Sequence, residues 1–215
     1  MIRAIISDLG NVLLHFDHRI IARRFSEQYP EARSTEAGME RFWTLVQRFE
    51  TGAIAEGEFI PLASQALGLE ATPSEQEFAT VWNDIFWPND ALLQVFEQLR
   101  ERATLIMLSN TNPLHIAYAR ERFPEVFSLF HHTVFSYECG LVKPDTRMFA
   151  FAIDRAGVAA DEALYFDDIA AYVDAATETG LHAYQYVSVP ALVDMLRVHE
   201  LPVTFSASVT SISDQ

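Results

Sequence analysis

The sequence has little of several residue types, and each shortage excludes a class of protein. Its 215 residues include one cysteine, Cys139, which excludes an intramolecular disulfide framework and any cysteine-rich zinc or iron–sulfur site. No apolar run approaches the roughly 20 residues of a membrane-spanning helix. Asp8 comes too early for the hydrophobic region of a signal peptide. We therefore expect a cytoplasmic protein with no membrane partner.

Positive charge is also scarce, and two common phosphate-binding motifs are missing. The chain has 15 Lys and Arg against 30 Asp and Glu, a net charge of −15 at pH 7. Such a surface repels nucleic-acid phosphates and anionic lipids, so we expect neither as a partner. No Gly-x-Gly-x-x-Gly follows the first apolar run, and Gly-x4-Gly-Lys-Ser/Thr is absent. These absences argue against a dinucleotide-binding dehydrogenase and a P-loop enzyme.

What the sequence does contain is an alternation of short apolar runs and helical patterns. Five runs are typical of strands buried in a parallel sheet: residues 2–6, 103–108, 133–135, 163–166 and 183–187. Between the later runs, helices are predicted to begin near Pro113, Pro144, Asp168 and Ser188. This order predicts an α/β fold with a Rossmann-like, doubly wound parallel sheet.

Residues 17–88 follow a different pattern and interrupt the sheet after its first strand. They carry four amphipathic helical patterns, around residues 20–28, 39–50, 57–67 and 74–86, and no clear strand. We predict a small α-helical cap over the carboxyl edge of the sheet, where open α/β folds bind ligands. The α/β core then comprises residues 1–16 and 89–202. Residues 203–215 form a tail, either a loose end or a late strand.

The aromatic residues of this block are expected to fill the interior of the cap, with one or two lining a ligand pocket. The set is Phe42, Trp43, Phe49, Phe59, Phe78, Trp82, Phe86 and Trp87.

Polar residues stand where four of the predicted strands end or lead onward. They are Asp8, Ser109, Asn110, Lys143, Asp167 and Asp168. Because the carboxyl ends of parallel strands share one edge, three carboxylates, a hydroxyl and an ammonium should meet there. Clustered carboxylates favour a hard cation such as Mg²⁺, while an aspartate can attack phosphorus and a lysine can hold phosphoryl oxygens. Gly10 is expected to let the chain turn sharply after Asp8.

Four segments carry a resemblance to a known family. Asp8-Leu9-Gly10-Asn11-Val12, Leu108-Ser109-Asn110, Lys143-Pro144 and Phe166-Asp167-Asp168 resemble, in chain order, the four motifs of the haloacid dehalogenase superfamily. The resemblance spans about residues 2–187, and the inserted block is similar to that superfamily's small helical cap. The first motif looks closest to a branch of sugar phosphatases that includes α-D-glucose-1-phosphate phosphatase.

The resemblance implies a Mg²⁺-dependent phosphatase that acts on a small phosphorylated metabolite through an aspartyl-phosphate. It implies that Asp8 is the nucleophile and a metal ligand, and that Gly10 offers its carbonyl to the metal. It also implies that Asp168 is the other metal carboxylate, with Asp167 as a further candidate ligand or adjacent to the site. Ser109, Asn110 and Lys143 would bind the phosphate, and Ser109 and Lys143 would also stabilise its charge during the reaction.

Two positions depart from the pattern of the family. Most phosphatases of the superfamily have a second aspartate at the place of Gly10, which serves as acid and base. Its absence leads us to favour a sugar 1-phosphate, whose anomeric hydroxyl is a relatively acidic leaving group. His15 and Asp17 are candidate replacements for the base. Tyr172 stands where related sequences often have asparagine, which could loosen the support of Asp168.

Other functions and simpler roles are open. A metal-independent 2-haloacid dehalogenase and a non-catalytic ligand-binding or regulatory protein are the alternatives. Asp168 and Ser109 are also typical helix N-caps. Residues 15–18 resemble a metal cluster, although a solvated turn into the cap is our expectation. Cys139 is expected to be a buried small residue rather than a nucleophile.

Overall fold

The computed structural model describes residues 1–205, and its centre is a parallel sheet of five strands in the order β5–β4–β1–β6–β7. The strands of the protein are β1 Ala4–Ser7, β2 Leu14–Phe16, β3 Phe86–Pro88, β4 Thr104–Ser109, β5 His132–Phe135, β6 Ala163–Asp167 and β7 His182–Gln185. Each of the five apolar runs overlaps one strand of this sheet. The predicted α/β fold is therefore confirmed.

Eleven helices surround or cover the sheet in the described residues. They are α1 His18–Gln28, α2 Glu36–Glu50, α3 Glu56–Leu67, α4 Glu75–Asn83, α5 Asp90–Leu99, α6 Pro113–Arg122, α7 Pro124–Ser128, α8 Ser136–Cys139, α9 Thr146–Ala156, α10 Ala170–Glu178 and α11 Val189–Val198. Helices α1 to α4 lie between β2 and β3 in the chain, where the helical block was predicted. No helix in residues 1–205 combines the length and apolar character needed to cross a bilayer.

Alternate side chains of each central strand point to opposite faces of the sheet, and both faces are covered. Ile5 belongs to one buried cluster, which also contains Phe96 of α5 and Leu196 of α11. Its neighbour Ile6 belongs to a second cluster, with Phe149 of α9. This arrangement makes the sheet doubly wound and leaves its carboxyl edge for polar residues.

Strands β2 and β3 form a separate antiparallel ribbon through which the chain enters and leaves the helical block. Phe16 pairs with Phe86 in this ribbon, and their rings meet edge to face with centroids 6.1 Å apart. The prediction of no strand in residues 17–88 is therefore wrong at β3, and the helix predicted to reach residue 86 ends at Asn83. A three-residue strand paired across 70 positions leaves no local pattern to read.

The helical block has its own aromatic core. Phe49 stacks on Phe59 with ring centroids 4.2 Å apart, and Phe78 is fully buried beside them. Trp43 and Trp87 are 49% and 46% exposed. Trp43 lines a cavity in the cap, in line with the expectation that one or two of the set line a pocket, whereas the predicted interior position is wrong for Trp87.

The start of the predicted tail packs against the core. Val203 is buried, and Thr204 exchanges backbone and side-chain hydrogen bonds of 2.9 Å with Gln98 of α5. The prediction for the rest of the tail concerns residues 206–215, which lie outside the described residues.

Candidate active site

The Lys143 ammonium lies at the centre of the carboxyl edge and joins two of the predicted site carboxylates. Its Nζ donates to Asp8 Oδ1 at 2.8 Å and to Asp167 Oδ2 at 2.6 Å. A third bond of 3.2 Å goes to the carbonyl oxygen of Leu108 at the end of β4. The Lys143 side chain is 1% exposed, so these contacts form away from bulk water.

Asn110 and Tyr172 hold Lys143 in place. The Asn110 side chain accepts from the Lys143 backbone N–H at 2.8 Å and donates to the Lys143 carbonyl at 2.9 Å. The Tyr172 ring lies under the ammonium, with Nζ 5.1 Å from its centroid. Tyr172 also accepts a 3.4 Å bond from Asn110. The tyrosine expected to affect Asp168 therefore packs against Lys143.

Asp8, Asp167 and Asp168 form a group of three acidic side chains with candidate ligand atoms within 4.8 Å of one another. Both oxygens of Asp167 are already engaged, because Oδ2 accepts from Lys143 and from the Tyr165 hydroxyl, and Oδ1 accepts from the Ile169 N–H at 2.8 Å. Asp8 and the half-buried Asp168 are the carboxylates with more freedom to hold a cation.

The pKa values of the site reflect an excess of negative charge in a buried place. Burial raises the pKa of Asp8 to about 7, against the attraction of Lys143 and with help from Asp167. Burial and Asp167 likewise raise the pKa of Asp168. Burial lowers the pKa of Lys143, but its two carboxylate partners more than offset this effect. A hard dication with oxygen ligands fits this donor set and would relieve the repulsion.

Gly10 is needed for a close approach rather than for a special backbone angle. Its φ is not positive; the left-handed residue of the turn is Asn11, with φ +53°. A Cβ at Gly10 would lie 2.8 Å from Cε1 of Phe16. The expectation that Gly10 itself makes the sharp turn is corrected in this respect.

A small pocket of about 100 Å³ opens beside the predicted phosphate-binding residues. Gly10, Ser109 and Asn110 line its core side, while His18, Glu50 and His115 are among the residues that complete it. Sequence reasoning missed Glu50 because a glutamate at the end of an amphipathic helix is usually a solvated residue. Its proximity depends on how the cap sits on the core.

The two candidates for a replacement base lie elsewhere. Asp17 caps α1 and bonds to Arg19 at 2.8 Å through the backbone and 3.0 Å through the side chain. These bonds hold the pKa of Asp17 below its usual range. His15 lies on β2 beside Trp87, with ring centroids 6.0 Å apart. Neither residue is among those that line the small pocket.

The simpler role as a helix cap is wrong for Ser109 and Asp168. The N-cap of α6 is Asn112, whose side chain accepts from the His115 N–H. The N-cap position of α10 is Ile169. Ser109 and Asp168 therefore cap neither helix, and their side chains remain available to the candidate site.

The fold and this acidic edge define a class of α/β protein that has a parallel sheet, a helical block inserted after the first strand, and a cluster of carboxylates at the carboxyl edge. A family model described as haloacid dehalogenase-like hydrolase matches residues 2–180, and the chain belongs to this family.

Solved structures share the fold over most of the chain. The HAD family enzyme BT-2542 of Bacteroides thetaiotaomicron, as its magnesium complex, is 25% identical with a TM-score of 0.78, over 91% of this chain and 98% of that one. A predicted HAD-like family hydrolase of Porphyromonas gingivalis is 28% identical, with a TM-score of 0.78 over 92% and 98%. The L-2-haloacid dehalogenase of Xanthobacter autotrophicus is 22% identical, with a TM-score of 0.61 over 92% and 83%, which shows the fold alone.

Proposed function

We propose that the protein is a Mg²⁺-dependent phosphatase that hydrolyses a small phosphorylated metabolite through an aspartyl-phosphate on Asp8. The observation that carries this proposal is the set of three carboxylates within 4.8 Å of one another, two of which, Asp8 and Asp167, contact the Lys143 ammonium. A dehalogenase that attacks carbon has no need for so many acidic groups. A phosphatase that binds a dication does.

The metal in this proposal is held by Asp8, Asp168 and the backbone carbonyl of Gly10, with Asp167 beside them. When bound, it supplies positive charge against the phosphoryl oxygens. The magnesium complex of BT-2542 supports the choice of ion.

The chain's own groups perform the remaining work. Asp8 attacks phosphorus, since its carboxylate follows the end of β1 at the carboxyl edge of the sheet. Lys143 and Ser109 stabilise the charge on the phosphoryl oxygens. Asn110 contributes by fixing Lys143 and by its main-chain N–H.

The substrate class is suggested by Gly10, which leaves the catalytic loop itself without a side chain to protonate a leaving group. We propose that a sugar 1-phosphate is preferred over the corresponding 6-phosphate, because the anomeric hydroxyl is the more acidic of the two. Comparison of kcat/KM for glucose 1-phosphate and glucose 6-phosphate tests this choice. A preference for the 6-phosphate would count against it.

We also propose that the protein acts in the cytoplasm on a small-molecule phosphate ester. Its net charge of −15 argues against a nucleic-acid or anionic-membrane partner.

The test of the proposed function is release of phosphate from p-nitrophenyl phosphate and a panel of phosphorylated metabolites. We expect turnover with Mg²⁺, loss of turnover in EDTA, and loss in Asp8→Asn. Chloride release from 2-chloropropionate in EDTA would identify a dehalogenase instead. Thermal stabilisation by a phosphate ester with no turnover of any substrate would identify a binding protein.

A further inference from the structure

The proposed reaction needs a proton donor and acceptor that the catalytic loop does not contain. The alcohol that leaves needs a proton, and the water that hydrolyses the aspartyl-phosphate must lose one. Gly10 can do neither. The inference below rests on the proposed function and concerns the group that fills this gap.

The small pocket next to Ser109 brings three titratable side chains of other elements toward the site. They are His18 of α1, Glu50 of α2 and His115 of α6. Among the described residues that line the pocket, Glu50 carries the one carboxyl group. It is half-buried, and neither a hydrogen bond nor a charge partner contributes to its pKa.

The two histidines are poor proton donors. His115 has both ring nitrogens engaged, Nδ1 with Asn112 at 3.1 Å and Nε2 with the Trp82 carbonyl at 3.3 Å. Burial lowers the pKa of His115 to about 3. Burial also lowers the pKa of His18, whose ring packs on Phe16 with centroids 4.7 Å apart. Both are neutral near pH 7.

Glu50 lies between the catalytic edge and a larger cavity in the cap. It is the last residue of α2, and it also lines a cavity of about 700 Å³ together with His18, Trp43 and Trp82. The small pocket holds little more than a phosphoryl group, so a larger alcohol must extend toward this cavity. Glu50, which lines both spaces, is therefore placed where a leaving alcohol would extend from one to the other.

The surroundings of Glu50 keep its proton available. Burial raises the pKa of Glu50 to about 7, so both of its forms are populated near neutral pH. The other titratable side chains that line its two cavities are His18, Tyr29 and His115.

We propose that Glu50 is the general acid and base of the reaction, supplied by the cap in place of a second aspartate on the catalytic loop. As an Asp8 oxygen bonds to phosphorus and the ester P–O bond breaks, the electron pair goes to the alcohol oxygen, which takes the Glu50 proton. Water then gives a proton to the Glu50 carboxylate while its oxygen bonds to phosphorus. The bond from Asp8 to phosphorus breaks, and its electron pair stays on the Asp8 oxygen. Inorganic phosphate is released, and the carboxyl groups of Asp8 and Glu50 are back in their starting forms.

The experiment compares Glu50→Gln with the wild type on two leaving groups, glucose 6-phosphate and p-nitrophenyl phosphate. The sugar alkoxide needs a proton and nitrophenolate does not. We expect kcat/KM for the sugar ester to fall by about 100-fold, and kcat/KM for the nitrophenyl ester to fall far less. Because the second step still lacks a base, the variant should release one nitrophenolate per enzyme in a burst and then slow down. The preference for glucose 1-phosphate over 6-phosphate should also increase.

The matched control is Glu40→Gln on the exposed face of the same helix, which should behave as the wild type. An equal loss on both esters, a rise in KM without a burst, or a wild type that cleaves no alkyl phosphate would overturn the role of Glu50. A wild type that releases no phosphate from any ester removes the proposed function itself. Glu50→Asp, which keeps the carboxyl group, should restore part of the second step if Glu50→Gln folds poorly.

Discussion

Lys143 shows how strongly one side chain can depend on its partners. An ammonium without charge partners at 1% exposure would lose its proton, but Asp8 and Asp167 hold it charged from opposite sides. The same contacts keep two buried carboxylates from repelling each other. The lysine therefore has a structural role in addition to its proposed contact with phosphate.

Replacement of Lys143 by Met keeps much of the volume and removes the charge. We expect the free energy of unfolding in EDTA to fall by about 3–5 kcal/mol at pH 8. The loss should be smaller at pH 5.5, because burial raises the pKa of Asp8 to about 7 and its carboxyl group is then largely protonated. Stability decreases as pH rises through this raised pKa. Urea unfolding at both pH values checks this, and an equal loss at each would contradict it.

Glu50 has a pH dependence of stability that can be measured without substrate. Its pKa rises from 4.5 to about 7 on folding, which is a contribution on the order of 3 kcal/mol. Stability from this group is present below pH 4.5 and is lost as pH rises through 7. Glu50→Gln should thus be more stable than the wild type at pH 8 and similar to it at pH 4.5 in urea unfolding.

The control for this measurement is Glu40→Gln, which should follow the wild type at both pH values. A Glu50→Gln protein that differs from the wild type by the same amount at pH 4.5 and pH 8 would mean that folding does not raise the pKa of Glu50.

At the residue scale, the sequence predicts what lies at strand ends and little else. Asp8, Lys143 and Asp168 could be placed because parallel strands present their carboxyl ends at one edge. Glu50 could not, since its closeness to Gly10 depends on the angle at which the cap meets the core. The contact between the Tyr172 ring and Lys143 could not be predicted either, because a helical pattern does not show which residue a tyrosine side chain will contact.

At the scale of elements, the position of Glu50 depends on the contact that follows the end of α2. Gly52, two residues further on, has φ +69° and packs against the backbone of Tyr137 in α8. A Cβ there would lie 2.3 Å from the Tyr137 carbonyl oxygen. Only glycine allows this approach between cap and core.

Gly52→Ala should therefore lower the free energy of unfolding by more than the left-handed backbone angle alone would. Gly157, with φ +66° and open space around it, provides the control. We expect Gly157→Ala to lose about 1–2 kcal/mol from the left-handed angle, with normal turnover. Gly52→Ala should lose about 1–3 kcal/mol more from overpacking, with lower kcat because Glu50 moves.

Denaturant unfolding and steady-state kinetics of both variants check this prediction. Equal losses of stability in the two variants would show that α2 is not held against α8 at this point.

Elements with a strong local pattern were predictable, and those made by tertiary pairing were not. Apolar runs predict the buried strands, and cap residues with a proline near the start predict the helices α9 and α11. Ribbon strands β2 and β3 have three residues each and acquire their structure from each other. Helix α5 went unpredicted although Asn89 caps it and Leu92, Phe96 and Leu99 are buried on one face.

At the scale of the whole molecule, side chains of the core pack against side chains of the cap. Leu114 of α6 belongs to the buried cluster of the cap, and His115 stacks on Trp82 of α4 with ring centroids 5.2 Å apart. The small pocket lies at this contact, which brings a cap carboxyl group to a site built by the sheet. The whole chain carries a net charge of −15, which favours the binding of a dication over the binding of an anion at the acidic edge.

The most direct measurement of the central claim is the covalent state of Asp8 during turnover. The enzyme is mixed with p-nitrophenyl phosphate and Mg²⁺, quenched in acid, digested and analysed by mass spectrometry. The account predicts a phosphoryl group on the peptide that contains Asp8, absent without Mg²⁺ and absent in Asp8→Asn. A phosphoryl group on another residue, or turnover with no phosphorylated peptide at all, would contradict it.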